Sequence, residues 1–248
     1  DVAYPTYLVG SLLAQAEATP VSLQASTWPR ADMAWVNSPS NPTGRVHSES
    51  EFRAAIEWSR KNKSVVVSDE CYLEFGDTVT PTSILQYTGG DNTNILAVHS
   101  LSKRSSMAGY RAAFIVGDPA LIARILEVRK HAGMMVPLPV QIAMIAALSN
   151  EDHVAEQRAR YNARRATLAP ALRAAGFTIE NSEAGLYIWA TRNEDCWESV
   201  SWLAELGIIA TPGVFYGDNG ASHIRIAMTA TDAQISEAAS RITSKVGA

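Results

Sequence analysis

Residues 95–111, Ile95-Leu96-Ala97-Val98-His99-Ser100-Leu101-Ser102-Lys103-Arg104-Ser105-Ser106-Met107-Ala108-Gly109-Tyr110-Arg111, decide how this chain reads. The apolar run Ile95 to His99 has the length and bulk of a buried strand, and it empties into small hydroxyl residues, a lysine and a Gly-x-Arg. Lys103 therefore has the surroundings of a Schiff-base amine beside a phosphate site. Two earlier segments repeat the placement. Met33-Ala34-Trp35-Val36-Asn37 is a strand candidate ending in the turn-rich Ser38-Pro39-Ser40-Asn41-Pro42-Thr43-Gly44, and Val65-Val66-Val67-Ser68 runs into Asp69-Glu70-Cys71-Tyr72. Asn41, Asp69 and Lys103 thus each follow a separate apolar run, and in open α/β sheets ligands collect outside the carboxyl ends of the strands.

Composition narrows the class. A chain of 248 residues with 47% hydrophobic and 19% charged residues can bury a core in one large domain or two modest ones. A net charge of −4 argues against a broad nucleic-acid surface or an anionic-membrane surface, so neither nucleic acid nor membrane is an expected partner. No apolar run approaches the roughly 20 residues that span a bilayer. Cys71 and Cys196 make no disulfide framework, which makes a reducing cytoplasm the expected location. The chain opens at Asp1, in Asp1-Val2-Ala3-Tyr4-Pro5-Thr6-Tyr7, which resembles neither a signal nor a transit peptide. The expectation is a polypeptide lacking an N-terminal part.

Around the three strands, short apolar runs alternate with helical patterns, the signature of an α/β sheet with crossover helices. Ser48-x-x-Glu51 reads as a capping box, with Phe52, Ala55 and Ile56 following at helical spacing. Ala113 to Val116 is a fourth strand, and Asp118-Pro119 opens a helix towards Lys130. Residues 151 to 175 are an Ala- and Arg-rich helical stretch stopped by Gly176. Beyond it, Phe177 to Glu180, Leu186 to Ala190 and Ser222 to Ala227 read as strands, Asp195 to Leu206 as a helix, and Thr231-Asp232 as the start of a last helix. The expectation is an α/β large domain over 1–150 and a smaller α+β domain over 151–248.

The motifs Asn41-Pro42-Thr43-Gly44, Asp69-x-x-Tyr72, Ser100-x-Ser102-Lys103 with the following Arg111, and the late Arg225 together resemble the class I/II, fold-type I aminotransferases, which use pyridoxal 5′-phosphate (PLP). The resemblance runs from Tyr4 to Arg225 and implies a set of roles. Lys103 would hold PLP as a Schiff base and shuttle a proton, and Asp69 would pair with the pyridinium nitrogen. Tyr72 and Asn41 would hydrogen-bond the phenolic oxygen, although a packed core tyrosine is a rival reading of Tyr72. Ser100, Ser102 and Arg111 would hold the phosphate, with Ser102 also suiting a position that needs only a small residue. The ring of Tyr4 would stack on the cofactor; Tyr7 is set aside. Arg225 would clamp the substrate α-carboxylate, with Asn41 beside it, from a strand face shared with His223 and Ala227.

Some features read blandly. Arg129-Lys130-His131 complements a helix dipole, Cys71 suits a small buried residue, Met134-Met135-Val136-Pro137 suits packing, and the five histidines lack metal-ligand spacing. Ala113 stands where many family members have glycine. The family's glycine-rich phosphate loop has no counterpart in this sequence. A finer resemblance, to actinobacterial N-succinyldiaminopimelate aminotransferases of lysine biosynthesis, rests on residues 37–44, 68–73, 128–137 and Ser182-Glu183-Ala184-Gly185-Leu186-Tyr187. It implies a homodimer acting on amino and keto acids, with glutamate as the other amino partner. A broad aminotransferase, a C–S lyase, a PLP-binding regulatory module and a relic with only a structural role are the alternatives.

Overall fold

The computed structural model describes residues 2–247. A four-stranded sheet runs in the order β1 (Met33–Asn37), β2 (Val65–Asp69), β3 (Ile95–Ser100) and β4 (Ala113–Gly117). The first three strands are parallel, with Asn37 beside Asp69 and Asp69 beside Val98. Their carboxyl ends therefore form one ledge. The fourth strand is antiparallel to β3 and pairs Ala113 with Ser100, so the sheet is mixed at that edge. Strand type was readable from its apolar run; its direction was not.

Helix α2 (Glu49–Asn62) covers one sheet face. It begins with the Ser48–Glu51 capping box, and its Phe52, Ala55 and Ile56 pack with Val36, Val66, Ile84 and Ile95 in a buried cluster. Burying each such Phe or Ile side chain contributes about 1.5–3 kcal/mol. The short α3 (Leu101–Arg104) follows β3 directly, and α4 (Pro119–His131) starts on the Asp118 cap with proline at its first position.

The second sheet is antiparallel, in the order β5 (Thr178–Ile179), β6 (Tyr187–Thr191), β8 (His223–Ala227) and β7 (Thr211–Pro212). All five residues of β6 are buried, whereas β8 alternates, with Ile224 and Ile226 inward. Helix α6 (Asp152–Ala174), α7 (Cys196–Glu205) and α8 (Asp232–Val246) supply Leu168, Leu172, Leu203, Ile235 and Ile242 to its core. Tyr72 and Phe75, from the loop after β2, belong to that same core and tie the sheets together. The tie continues through Ser182 N–H to Thr43 O, Ala184 N–H to Gly44 O, and Val46 N–H to Glu183 Oε2 at 2.8 Å.

Several expectations need correction. The strand expected over Phe177 to Glu180 is only two residues long, because just Thr178 and Ile179 find partners on β6. Met134 and Met135 do not pack within this chain, being 58% and 50% exposed. Cys71 is half-buried, and Cys196 is the buried cysteine. Helices α1 (Thr6–Leu13), α3 and α5 (Leu138–Leu148) had no expectation, and neither α1 nor α5 contains a fully buried residue. Among the described residues, no helix is long and apolar enough to cross a membrane, and no acidic, histidine and cysteine cluster could hold a metal ion.

Candidate active site

Asp69 is the last residue of β2, and parallel pairing on both sides holds its backbone. Its carboxylate is half-buried, accepting from Cys71 N–H on Oδ1 at 3.1 Å and from the Tyr7 hydroxyl on Oδ2 at 2.6 Å. Tyr7 stacks on Trp35 of β1, with ring centroids 5.2 Å apart, so α1 lies against the ledge. Burial, reinforced by the Asp69 charge, pushes the Tyr7 phenol far up, which keeps it a neutral donor. The same causes push up the Cys71 thiol and leave it protonated. Tyr4 is 43% exposed and meets Tyr7 edge-on, at 6.4 Å.

Lys103 sits in α3, one turn beyond β3, and is half-buried. Val98 of β3 pairs with Asp69, which sets this lysine just past the neighbouring strand end. Among the described residues it has no hydrogen-bond or ion-pair partner. The backbone around it is anchored from three directions. Ser100 Oγ accepts from Ser102 N–H at 3.1 Å and so caps α3. Arg104 is buried and donates to Ala147 O at 2.9 Å, pairs with Glu151 between α5 and α6, and lies 3.4 Å from Glu74. Arg111 is exposed, with φ 55° and its Nη1 donating to Ala108 O at 2.9 Å. A non-glycine residue in that left-handed region costs of order 1–3 kcal/mol, a strain that clusters at functional sites.

The third group of residues meets across the two sheets. Arg225, on β8, donates from Nη1 to Asn41 Oδ1 at 3.0 Å. Its guanidinium lies over the Tyr187 ring at 4.0 Å and the Tyr216 ring at 5.2 Å, while its Nε is buried without a partner. A buried guanidinium N–H with nothing to donate to is unstable unless something else supplies the acceptor. Asn41 is itself fixed through its backbone N–H to Asn37 Oδ1 at 2.8 Å. Tyr187 OH is 3.3 Å from Tyr72 OH, with either able to donate, and burial pushes the Tyr72 phenol up.

The aminotransferase class I and II family model matches residues 13–242. The chain belongs to that family. It is 52% identical over 246 residues to a probable aminotransferase of Mycobacterium tuberculosis, covering 98% of this chain and 59% of that protein. It is also 52% identical to the 4-dedimethylamino-4-oxo-anhydrotetracycline transaminase of Streptomyces rimosus, covering 98% and 68%. A solved probable N-succinyldiaminopimelate aminotransferase from Thermus thermophilus superposes with a TM-score of 0.85 at 25% identity, over 98% of this chain and 69% of that one. The chain thus spans about three-fifths to two-thirds of the length of these relatives.

Members of this family are PLP-dependent, and the residues present fit that group. The carboxylate ends β2, the unpaired amine follows β3, and Asn41, after β1, holds the guanidinium whose buried Nε has no partner. Arg225 touches Asn41 directly and Tyr72 only through Tyr187, while Lys103 and Asp69 follow neighbouring strands. Ser100 is partly committed as a cap, and the Ser102 hydroxyl makes no hydrogen bond to a described residue. Four residues escaped the sequence reading: Tyr7, Arg104, Tyr187 and Tyr216. Tyr7, Arg104 and Tyr187 act through contacts distant in sequence, which no local pattern marks.

Proposed function

We propose that the polypeptide carrying this chain is a PLP-dependent aminotransferase that moves an amino group between glutamate or 2-oxoglutarate and an α-amino acid. The observation that carries the proposal is Arg225. It is held by two tyrosine rings and by Asn41, which is anchored to Asn37 beside Asp69, yet it keeps a buried donor free. A guanidinium so placed suits a carboxylate, which it can bind through two parallel hydrogen bonds.

When bound, PLP supplies the electron sink that lets a Cα–H bond beside an amine break. Asp69 accepts from the pyridine nitrogen and keeps its proton in place. Tyr72 and Asn41 donate to the phenolic oxygen, Tyr4 covers the ring, and Ser100, Ser102 and Arg111 hold the phosphate. Arg225 fixes the substrate carboxylate, which orients the Cα–H bond towards Lys103. Positioning of that kind contributes directly to rate. Lys103 takes the proton from Cα and returns it, a role open to an amine with no ion-pair partner. In the assembled enzyme, residues 1–150 belong to the cofactor-binding domain and 151–248 to the small domain, two copies associate, and the protein works in the cytoplasm.

The finer reading is N-succinyl-LL-2,6-diaminopimelate as substrate, supported by the four resembling stretches and the Thermus thermophilus structure. A second reading, a bulky cyclic ketone as acceptor, is favoured by equal identity to the Streptomyces rimosus transaminase. The test starts with a visible spectrum of the full polypeptide with PLP, before and after glutamate, and of Lys103→Ala. The expected result is a yellow band that glutamate bleaches in wild type and that Lys103→Ala lacks. A colourless wild type, or an unaltered band in the variant, overturns the proposal. Turnover with N-succinyl-diaminopimelate, aspartate, aromatic donors and the oxo-anhydrotetracycline then separates the substrate readings.

A further inference from the structure

We propose that Tyr187 is a positioning residue shared by both ends of the site, its ring seating the Arg225 guanidinium and its hydroxyl donating to Tyr72. This rests on the PLP reading above and goes beyond it. Tyr187 opens β6, where the register sets it opposite Ala227 and sets Trp189 opposite Arg225. The small Ala227 leaves space for the arginine of the same strand face to lie back over the tyrosine ring, at 4.0 Å. A ring face attracts a cation without consuming any of its N–H groups. Tyr187 therefore orients Arg225 while leaving its donors for a carboxylate, whereas Asn41 takes only one, at Nη1.

The hydroxyl performs the second task. Tyr72 and Tyr187 are both buried, with their oxygens 3.3 Å apart and their rings edge-to-face at 5.8 Å. Each phenol has one proton, and a single O–H···O link between them uses one of the two. If Tyr72 spent its proton on Tyr187, it would have none for a cofactor oxygen. With Tyr187 as donor, the Tyr72 proton is free, and the bond it receives strengthens it as a donor.

The experiment uses the PLP-loaded full polypeptide with Tyr187→Phe and Tyr187→Leu. It reads the pH midpoint of the visible band and the glutamate concentration that half-bleaches it. Donation from Tyr72 stabilises a negative phenolic oxygen and so the deprotonated chromophore. Tyr187→Phe keeps the ring but weakens that donation, and is expected to raise the midpoint by about half a unit. Its half-bleaching concentration should stay within about twofold of wild type. Tyr187→Leu should show the same midpoint shift and need roughly tenfold more glutamate. A midpoint unmoved in Tyr187→Phe overturns the hydroxyl role, and wild-type glutamate affinity in Tyr187→Leu overturns the ring role. Tyr187→Phe preserves core volume, so the first arm stands even if the leucine variant does not fold. A wild type with no band overturns the PLP reading itself, whereas a normal band with unchanged variants overturns this inference alone.

Discussion

The His47 imidazole is buried and stacks on Phe52 at 5.3 Å, and its Nδ1 has no hydrogen-bond partner. Burial lowers its pKa to about 4; the opposing pull of Glu51 is smaller, and Arg45 adds to the lowering. In the unfolded chain the ring titrates near 6.5. Between those values the unfolded state binds a proton that the folded state does not, so the contribution is complete above pH 6.5 and is lost as pH falls towards 4. That loss is about 3 kcal/mol. His47→Phe should therefore lose less stability than wild type between pH 7 and pH 4, measured by urea unfolding; equal losses would show that His47 is not the group responsible. Asn41, Asp69 and Lys103 stand at or just after the ends of β1, β2 and β3, a placement readable from the apolar run before each. Tyr7 was passed over because its partner, Asp69, is 62 residues away. No local pattern announces such a bond.

Elements were legible where a period and a cap coincided. Helix α2 had both, and its capping box is formed as expected, Ser48 Oγ accepting from Glu51 N–H and Glu51 from Ser48 N–H. Ser48→Ala should cost about 1 kcal/mol of stability in thermal unfolding, and no change would mean that the box carries no weight. Helix α5, Leu138-Pro139-Val140-Gln141-Ile142-Ala143-Met144-Ile145-Ala146-Ala147-Leu148, is apolar nearly all round, so no amphipathic period marks it. Helix α1 lacks a side-chain cap and a buried face, which removes both signals. The antiparallel setting of β4 depends on what β3 leaves unpaired, and that is a property of the sheet rather than of residues 113–117.

At the scale of the molecule, the junction between the sheets is close backbone packing. Gly44 has φ +68°, and a Cβ there would lie 2.8 Å from Ala184 O and 3.0 Å from Ser182 Cα. Gly44→Ala therefore combines left-handed strain of about 1–3 kcal/mol with a clash that no flexible side chain can relieve. Chemical unfolding should show a loss at least that large, and wild-type stability would refute the close approach. The presence of a second sheet was readable from the shift from parallel-type runs to a long helix followed by short strands. The contact through Gly44 was not, since it joins turns far apart in the chain. The same holds for the Asn41–Arg225 hydrogen bond, whose partners are 184 residues apart. Considered as chain connectivity, this bond closes a very long loop. The entropic cost of closure grows only as about (3/2)RT ln n, but no local segment can form the bond early. A nascent or partly folded chain with only its parallel strands in register would hold Lys103 and Asp69 in place and still have no grip on a carboxylate. The Asn41–Arg225 bond thus exists only where both sheets are formed and docked.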